Sequence, residues 1–288
     1  MGDSTTTGKI VIEFANGVPL SGKKWGRGAI SPSQRVYDAE LHLLFDRGTR
    51  PDRDAIRAFA ARCPPVSVSH DSHPEDAPYV DALQRSGQYW VELLRDGLTF
   101  DLVGLAPGPK STSPDLAQRF DLPALPELHH YETLTLRPGP HVAAAGKSMP
   151  VVRTMMALAC DLVRHFDDLL AIGWEPAGSV IGRRFFESVT TAWLGGGPFP
   201  ALGLTAFVEA PDGALQSVGL AFWIGRELRI EPPLSDDRVA ATRLAIRLVN
   251  HLILVGGLEA DDHITAPDGS RLVLRPSRER ALISVWRE

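Results

Sequence analysis

Short β-rich runs alternate with amphipathic helical patterns along the chain. The run YWVELLRDGLTFDLVGL (89–105) has two such stretches on either side of Asp96–Gly97, a dipeptide that favours tight turns, and it predicts a β-hairpin. A second hairpin is predicted where ALGLTAFVEA and QSVGLAFWIGRELRIEPP flank PDGA. Further strands are predicted at 37–46 and in the closing segments SRLVLRP and RALISVWRE.

Apolar residues spaced three and four positions apart predict four helices. The predicted helices cover about 51–63, 149–170, 180–194 and 235–256. The last has the clearest ends. Ser235 is its predicted N-cap, Asp236 and Asp237 suit the positive end of the helix dipole, and Gly256 ends it.

Hairpins mixed with helices are typical of an α+β fold, in which helices pack on mixed, largely antiparallel sheets. Residues 1–35 are rich in Gly, Ser, Pro and charge, so we interpret them as a flexible N-terminal extension. Residues 36–288 are predicted to form a single α+β domain. That domain could consist of two similar halves, 36–105 and 132–288, joined by a Pro-rich connector.

The composition is that of an ordinary folded protein and excludes several functions. Of the 288 residues, 44% are hydrophobic and 23% are charged, and the net charge is −5 at pH 7. A mildly acidic chain with scattered arginines lacks the basic patch of a nucleic-acid-binding protein, so no nucleic-acid partner is expected. No long apolar run and no secretory signal is evident, which predicts no membrane association and a cytoplasmic location. Cys63 and Cys160 are interpreted as reduced packing residues.

The segment AAAGKSMP (143–150) ends like a phosphate-binding loop. Such a loop needs G-x-x-x-x-G-K-[ST], because the first glycine makes the turn that surrounds the phosphates. Gly146, Lys147 and Ser148 fit this pattern, but His141 occupies the position of the first glycine. We therefore interpret the segment as a strand-to-helix turn with Ser148 as a candidate N-cap, and we expect no nucleotide cofactor.

Potential metal ligands gather at SHDSHPED (69–76), but their pattern is incomplete. The spacing of His70 and His73 matches no compact zinc signature, and Pro74 breaks any helix that would align the two histidines. A polar surface loop is the better interpretation. No other segment carries a recognisable catalytic motif, so the sequence predicts no metal, no cofactor and no catalytic residue.

The candidate binding residues come from two segments. Lys147 is the charged residue of the GKS turn. In GLAFWIGRELRIEPP (219–233), interpreted as one strand, Trp223, Glu227 and Arg229 lie on the same face. That face is either a charged outer surface of the sheet or a binding surface made of tryptophan, glutamate and arginine side chains.

A particular order of segments runs through the second part of the chain. Gly219–Leu220 precedes the stretch Gly225–Leu228, and Gly257–Leu258 follows the last predicted helix. In this order the chain resembles a bacterial family of domains of unknown function, the family numbered 4261, over roughly residues 37–288. The resemblance implies a mixed α/β domain of the bacterial cytoplasm, and it implies no activity, cofactor or catalytic residue.

The function predicted from the sequence is a non-enzymatic protein-interaction module, similar by analogy to an immunity or adaptor protein and bound to a protein partner. Two alternatives stay open. In the first, the chain is an enzyme whose His141, Lys147, Glu175, Glu227 and Arg229 converge in the fold. In the second, it is a small-molecule sensor, which an apolar cavity of several hundred cubic ångströms would support.

Overall fold

The computed structural model of the chain describes residues 38–71, 88–112, 116–122, 131–266, 268–279 and 281–288. The predicted extension, 1–35, and the part of the segment SHDSHPED that follows Asp71 lie outside these residues. The described residues form two sheets with packed helices, which confirms the predicted α+β class. None of their helices is long and apolar enough to cross a membrane.

The larger sheet has eight strands. They are β1 (Leu41–Phe45), β2 (Val66–His70), β3 (Tyr89–Arg95), β4 (Leu98–Leu105), β5 (Gln118–Phe120), β6 (Glu132–Pro138), β7 (Leu169–Trp174) and β8 (Ser179–Gly182). Their order in the sheet is β2-β3-β4-β6-β1-β7-β8-β5, and all neighbours are antiparallel except the parallel pair β5 and β8. The hairpin predicted around Asp96–Gly97 is confirmed as β3 and β4.

Strands from before and after the Pro-rich connector interleave in this sheet. β6 lies between β4 and β1, and β7 pairs with the other edge of β1. Residues 132–182 therefore complete the sheet that residues 41–105 begin. The boundary between the two predicted halves does not coincide with the boundary between the two sheets.

The smaller sheet has six strands. They are β9 (Ala206–Glu209), β10 (Leu215–Val218), β11 (Glu227–Ile230), β12 (Asp262–Thr265), β13 (Arg271–Pro276) and β14 (Leu282–Arg287). Their order is β12-β13-β14-β11-β10-β9, and the central pair β11 and β14 is parallel.

Helices pack on both sheets. They are α1 (Arg53–Arg62), α2 (Met149–His165), α3 (Arg183–Leu194), the short α4 (Ala201–Leu204) and α5 (Leu220–Ile224), and α6 (Arg238–Val255). α2 contacts β4 and β6 of the larger sheet, whereas α6 contacts β10 and β11 of the smaller one. Most buried apolar residues of both sheets and of these helices form one continuous core.

The ends of α6 and α2 differ in part from the prediction. α6 begins at Arg238 because the Asp237 carboxylate accepts hydrogen bonds from the N–H groups of Val239 and Ala240, so Ser235 is not its N-cap. Gly256 ends it in the left-handed conformation, as predicted (φ 79°). α2 ends at His165 rather than near residue 170.

The interpretation of residues 219–233 as one strand is wrong. Gly219 (φ 92°) and Gly225 (φ 76°) adopt left-handed backbone conformations that bracket the helical turn α5. The strand β11 begins only at Glu227. The side-chain alternation of a strand therefore does not relate Trp223 to Glu227 and Arg229.

Candidate functional site

One face of the larger sheet is apolar and the other is polar. On β1, Leu41 and Leu43 belong to the main core beneath the helices. His42 and the preceding Glu40 lie on the opposite side, because successive side chains of a strand alternate. We call this second side the polar face, and it carries Glu40, His42, Thr135 and Arg137.

Charged side chains cross the polar face in one row. Glu92 on β3 is opposite Asp101 on β4, and Asp101 is opposite Arg137 on β6. The Arg137 Nε atom lies 3.6 Å from the Asp101 carboxylate, which is 2% exposed. Glu40 and Glu175 continue the row next to the paired residues Leu41 and Trp174. The row contains four carboxylates and one guanidinium.

A cavity of about 410 Å³ opens beside this row. Its charged lining residues are Asp38, Glu40, Asp101, Arg137 and Lys147. Alanine and proline residues of the segment 138–144 provide its apolar lining. The volume falls within the range of small-molecule sites, and the wall combines apolar area with a few charged groups.

The GKS turn forms one side of the cavity but is not a phosphate-binding loop. A 3-10 turn spans Ala143–Ala145, and the N–H groups of Val142, Ala145, Gly146 and Ser148 all donate to backbone carbonyls. A phosphate-binding loop instead points such N–H groups at its ligand. The lysine side chain is therefore the group of this turn that is available to a ligand.

Three potential metal ligands lie together beneath the cavity. Glu40, His42 and Glu175 each offer one ligand atom, and these atoms all lie within 4.8 Å of one another. Glu40 also lines the cavity, so the cluster and the cavity share a wall. The sequence predicted no metal site, because Glu175 is far from the other two residues along the chain and only the pairing of β1 with β7 brings it near them.

His42 is the buried member of this cluster. Its side chain is 4% exposed, its Nδ1 atom lies 3.3 Å from the Thr135 hydroxyl oxygen, and its Nε2 atom has no hydrogen-bond partner among the described residues. Burial lowers the pKa of His42 to about 4, because the charged imidazolium is poorly solvated there. The ring is therefore neutral at pH 7, with a lone pair available on one nitrogen.

The local backbone fixes both ends of the cluster. A Cβ atom at Gly173, the β7 partner of His42, would lie 2.6 Å from the Leu116 Cδ1 atom and 3.1 Å from the His42 Cβ atom, so glycine fits best between these two side chains. Glu175 starts a 3-10 turn that Gly178 closes in the left-handed conformation. Gly219 packs closely against Ala177 in this turn, so contacts with the α5 region hold Glu175 in place.

Glu40 lies in a strongly acidic environment. Burial raises the pKa of Glu40, the nearby Glu175 and Asp38 carboxylates raise it further, and Arg137 opposes the shift. A cation at this position would relieve the repulsion between the carboxylates.

Of the four residues predicted to bind, Lys147 lines this cavity and the other three lie elsewhere. Trp223 packs among aromatic rings, with Trp174, Trp193 and Phe199 all within 6.0 Å between ring centroids. Arg229 forms ion pairs with Asp212 and Glu231.

Glu227 serves as an internal anchor. Its buried carboxylate accepts hydrogen bonds from the Ser217 hydroxyl and from the N–H groups of residues 219–221, at the start of α5. Burial raises the pKa of Glu227, and these donors oppose that shift. The carboxylate compensates for the unpaired N–H groups of a short helical turn, which is a structural task.

The charged residues of the enzyme alternative do not come together in one site. Lys147 lines the cavity, Glu175 joins Glu40 and His42, and Glu227 and Arg229 are held by partners in the smaller sheet. The alternation of Glu40 and His42 in the run AELHLLF was the one sequence signal for the cluster, since it places a carboxylate and an imidazole on one side of a strand.

A second cavity of about 400 Å³ lies along α6, with Arg243, Arg247 and Arg287 in its lining. Arg243 and Arg247 are exposed, and Arg287 lies 3.9 Å from Asp268. This cavity lacks a buried side chain comparable to His42 within the described residues, so the cavity on the polar face is the stronger candidate.

No protein-family model, curated protein or solved structure matches this chain. Its resemblance to the family numbered 4261 therefore stays a prediction.

Proposed function

We propose that this protein binds a small dipolar molecule in the cavity on the polar face, a molecule that carries an anionic group at one end and a cationic group at the other. The observation that supports this proposal is the distribution of charge in a cavity of about 410 Å³, whose wall holds groups of both signs. A ligand with a single charge would leave the groups of one sign without a partner.

Lys147 is the group that would receive the anionic end. It is exposed, and no hydrogen bond or ion pair holds its ammonium group within the described residues. It directly precedes Ser148, the N-cap of α2, whose side chain makes no capping hydrogen bond. The positive end of the α2 dipole adds to the attraction for an anion beside Lys147.

Asp38 and Glu40 would receive the cationic end, since carboxylates accept charge-assisted hydrogen bonds from ammonium groups. Arg137 already lies 3.6 Å from Asp101, so this pair is less available to a ligand than Lys147, Asp38 and Glu40. The apolar alanine and proline side chains would contact the carbon skeleton of the ligand. These features suit a zwitterion of about the size of an amino acid or a dipeptide.

Thermal-shift and calorimetric titrations with free amino acids and dipeptides test the proposal. Matched molecules that lack the amine or the carboxylate serve as comparisons. We expect saturable binding of at least one zwitterion and weaker binding of its singly charged analogues. Lys147→Gln should weaken that binding by about tenfold, the usual effect of losing one charged hydrogen bond of about 1.4 kcal/mol.

Arg278→Gln is the control, because it removes an exposed positive charge outside the cavity. It should leave the affinity unchanged. Equal losses in the two variants would show a general charge effect, and the absence of binding by any zwitterion would overturn the proposal.

The protein partner expected from the sequence stays a prediction. The described residues expose large apolar side chains at the end of α6, where Leu254 is 85% and Val255 54% exposed. Native mass spectrometry of the tagged protein isolated from its host would detect a protein partner and a retained small ligand in the same measurement.

A further inference from the structure

The structure assigns a divalent transition-metal site, with zinc as the preferred ion, to Glu40, His42 and Glu175. This inference goes beyond the proposed binding of a dipolar molecule and shares only Glu40 with it. It requires neither Lys147 nor the ligand.

The geometry of the three ligand atoms fits one ion. They lie within 4.8 Å of one another. Ligand atoms that lie about 2.1 Å from a zinc ion in tetrahedral geometry are about 3.4 Å from one another. Rotation of the two glutamate side chains that shortens the present separations by up to about 1.4 Å would therefore close the site.

The second observation is the buried imidazole. His42 is 4% exposed, and its Nε2 atom lacks a hydrogen-bond partner within the described part of the chain. An unpaired buried polar atom is costly, and native structures usually supply it with a partner such as a water molecule or an ion. A metal ion would supply the missing partner.

Thr135 acts as the outer partner of this histidine. Its hydroxyl lies 3.3 Å from Nδ1, so a hydrogen bond there would orient the ring and leave Nε2 for a ligand. Histidines that bind metal through one nitrogen regularly hold a polar group with the other.

The chemistry of the ligands selects the ion. One imidazole nitrogen with two carboxylate oxygens is a set that zinc accepts, whereas magnesium and calcium prefer oxygen ligands alone. Three protein ligands leave a coordination position for water or another molecule, as in catalytic zinc sites. Because Glu40 also lines the cavity, an ion held here would adjoin the space in which a small molecule binds.

The test uses the full chain, stripped of metal by a chelator and then titrated with zinc, manganese or magnesium chloride in the absence of any dipolar ligand. We expect one zinc ion per chain, a rise in the melting temperature, and weaker binding of magnesium. A cobalt-loaded sample should show visible absorption bands that change when His42 is replaced.

Two variants remove metal ligands, one removes the hydroxyl next to His42, and two serve as controls. Glu175→Gln and His42→Leu should each weaken zinc binding by at least about tenfold, since even loss of an outer partner costs 10- to 100-fold. Thr135→Val should weaken it by about tenfold through that outer effect. Glu92→Gln removes a carboxylate from the same sheet face, His263→Gln removes an exposed histidine, and both should bind zinc normally.

Failure of zinc to bind, or binding that both ligand variants retain, would overturn the assignment and identify any bound zinc as adventitious. Circular dichroism of each variant shows whether it has folded. Because Lys147 takes no part in this titration, failure of the metal site is distinguishable from failure of the proposed ligand binding.

Discussion

The two faces of the larger sheet are built from the same strands and have opposite characters. On β1 and β6, the apolar face carries Leu41, Leu43, Leu134 and Leu136, all fully buried. The neighbouring residues on the polar face include His42, Thr135 and Arg137. The difference shows how one strand can contribute to the core with every second residue and to a candidate site with the residues between.

The two faces differ in what covers them. α2 and the rest of the main core cover the apolar face. A small cluster of Leu44, Leu116, Tyr131, Ala171 and Val180 covers only part of the polar face. Beyond this cluster, Glu40 and the residues around it border the cavity on the polar face.

The largest expected effect comes from neighbouring leucines on opposite faces. Leu43 and Leu44 are both fully buried, but Leu43 belongs to the main core and Leu44 to the small cluster. We expect Leu43→Ala to lower the free energy of unfolding by about 4 kcal/mol and Leu44→Ala by about 3 kcal/mol, because a small cluster collapses more easily around a cavity. Urea unfolding measures both values. A larger loss for Leu44→Ala would reverse the ranking of the two faces.

The second prediction tests whether water is excluded from the Cys160 thiol, which lies in α2 over the apolar face. Burial raises the pKa of the Cys160 thiol in α2 from 9.0 to about 11, so the folded protein retains this proton to a higher pH than the unfolded chain does. Folding stability should therefore fall as the pH rises from about 9 towards about 11, by about 2 kcal/mol at pH about 10.5.

Cys160→Ala lacks this titration and is the matched comparison. Unfolding of both proteins at pH about 8 and about 10.5 should show that the wild type loses about 2 kcal/mol more than the variant. A constant difference between the two proteins would show that the thiol is hydrated in the folded state.

The smallest expected effect concerns the polar face. His42→Leu should change the free energy of unfolding of the metal-free protein by less than about 1 kcal/mol, because leucine replaces a neutral ring that has an unpaired nitrogen. Thermal and urea unfolding of the chelator-treated protein measure this change. A loss of several kcal/mol would show that the imidazole stabilises the metal-free fold, which would give His42 a structural role.

Local patterns in the sequence were sufficient for most of the single elements. Three predictions were correct: the hairpin around Asp96–Gly97, the start of a helix at Met149, and the end of the last helix at Gly256. Each depends on interactions between residues close together in the chain, such as a turn dipeptide, a cap or the spacing of apolar positions.

The segment 219–231 shows where local patterns fail. Its apolar residues alternate well enough to suggest a strand, but two left-handed glycines and the hydrogen bonds that the Glu227 carboxylate accepts make the turn α5 more favourable. The same change removed the predicted binding surface of Trp223, Glu227 and Arg229, because Trp223 turns into an aromatic cluster.

The amino-acid sequence by itself determined the fold class, the alternation of residues on β1, and the helix-opening turn that holds Lys147, since these follow from neighbouring residues. Only the tertiary structure decided that β1 pairs with β6 and β7, and hence that Glu175 and Thr135 lie beside His42. Pairing between strands so far apart in the chain depends on the burial of the whole apolar face. No single segment encodes this strand pairing. The candidate site depends on it, because the site lies at the ends of the paired strands β1 and β7.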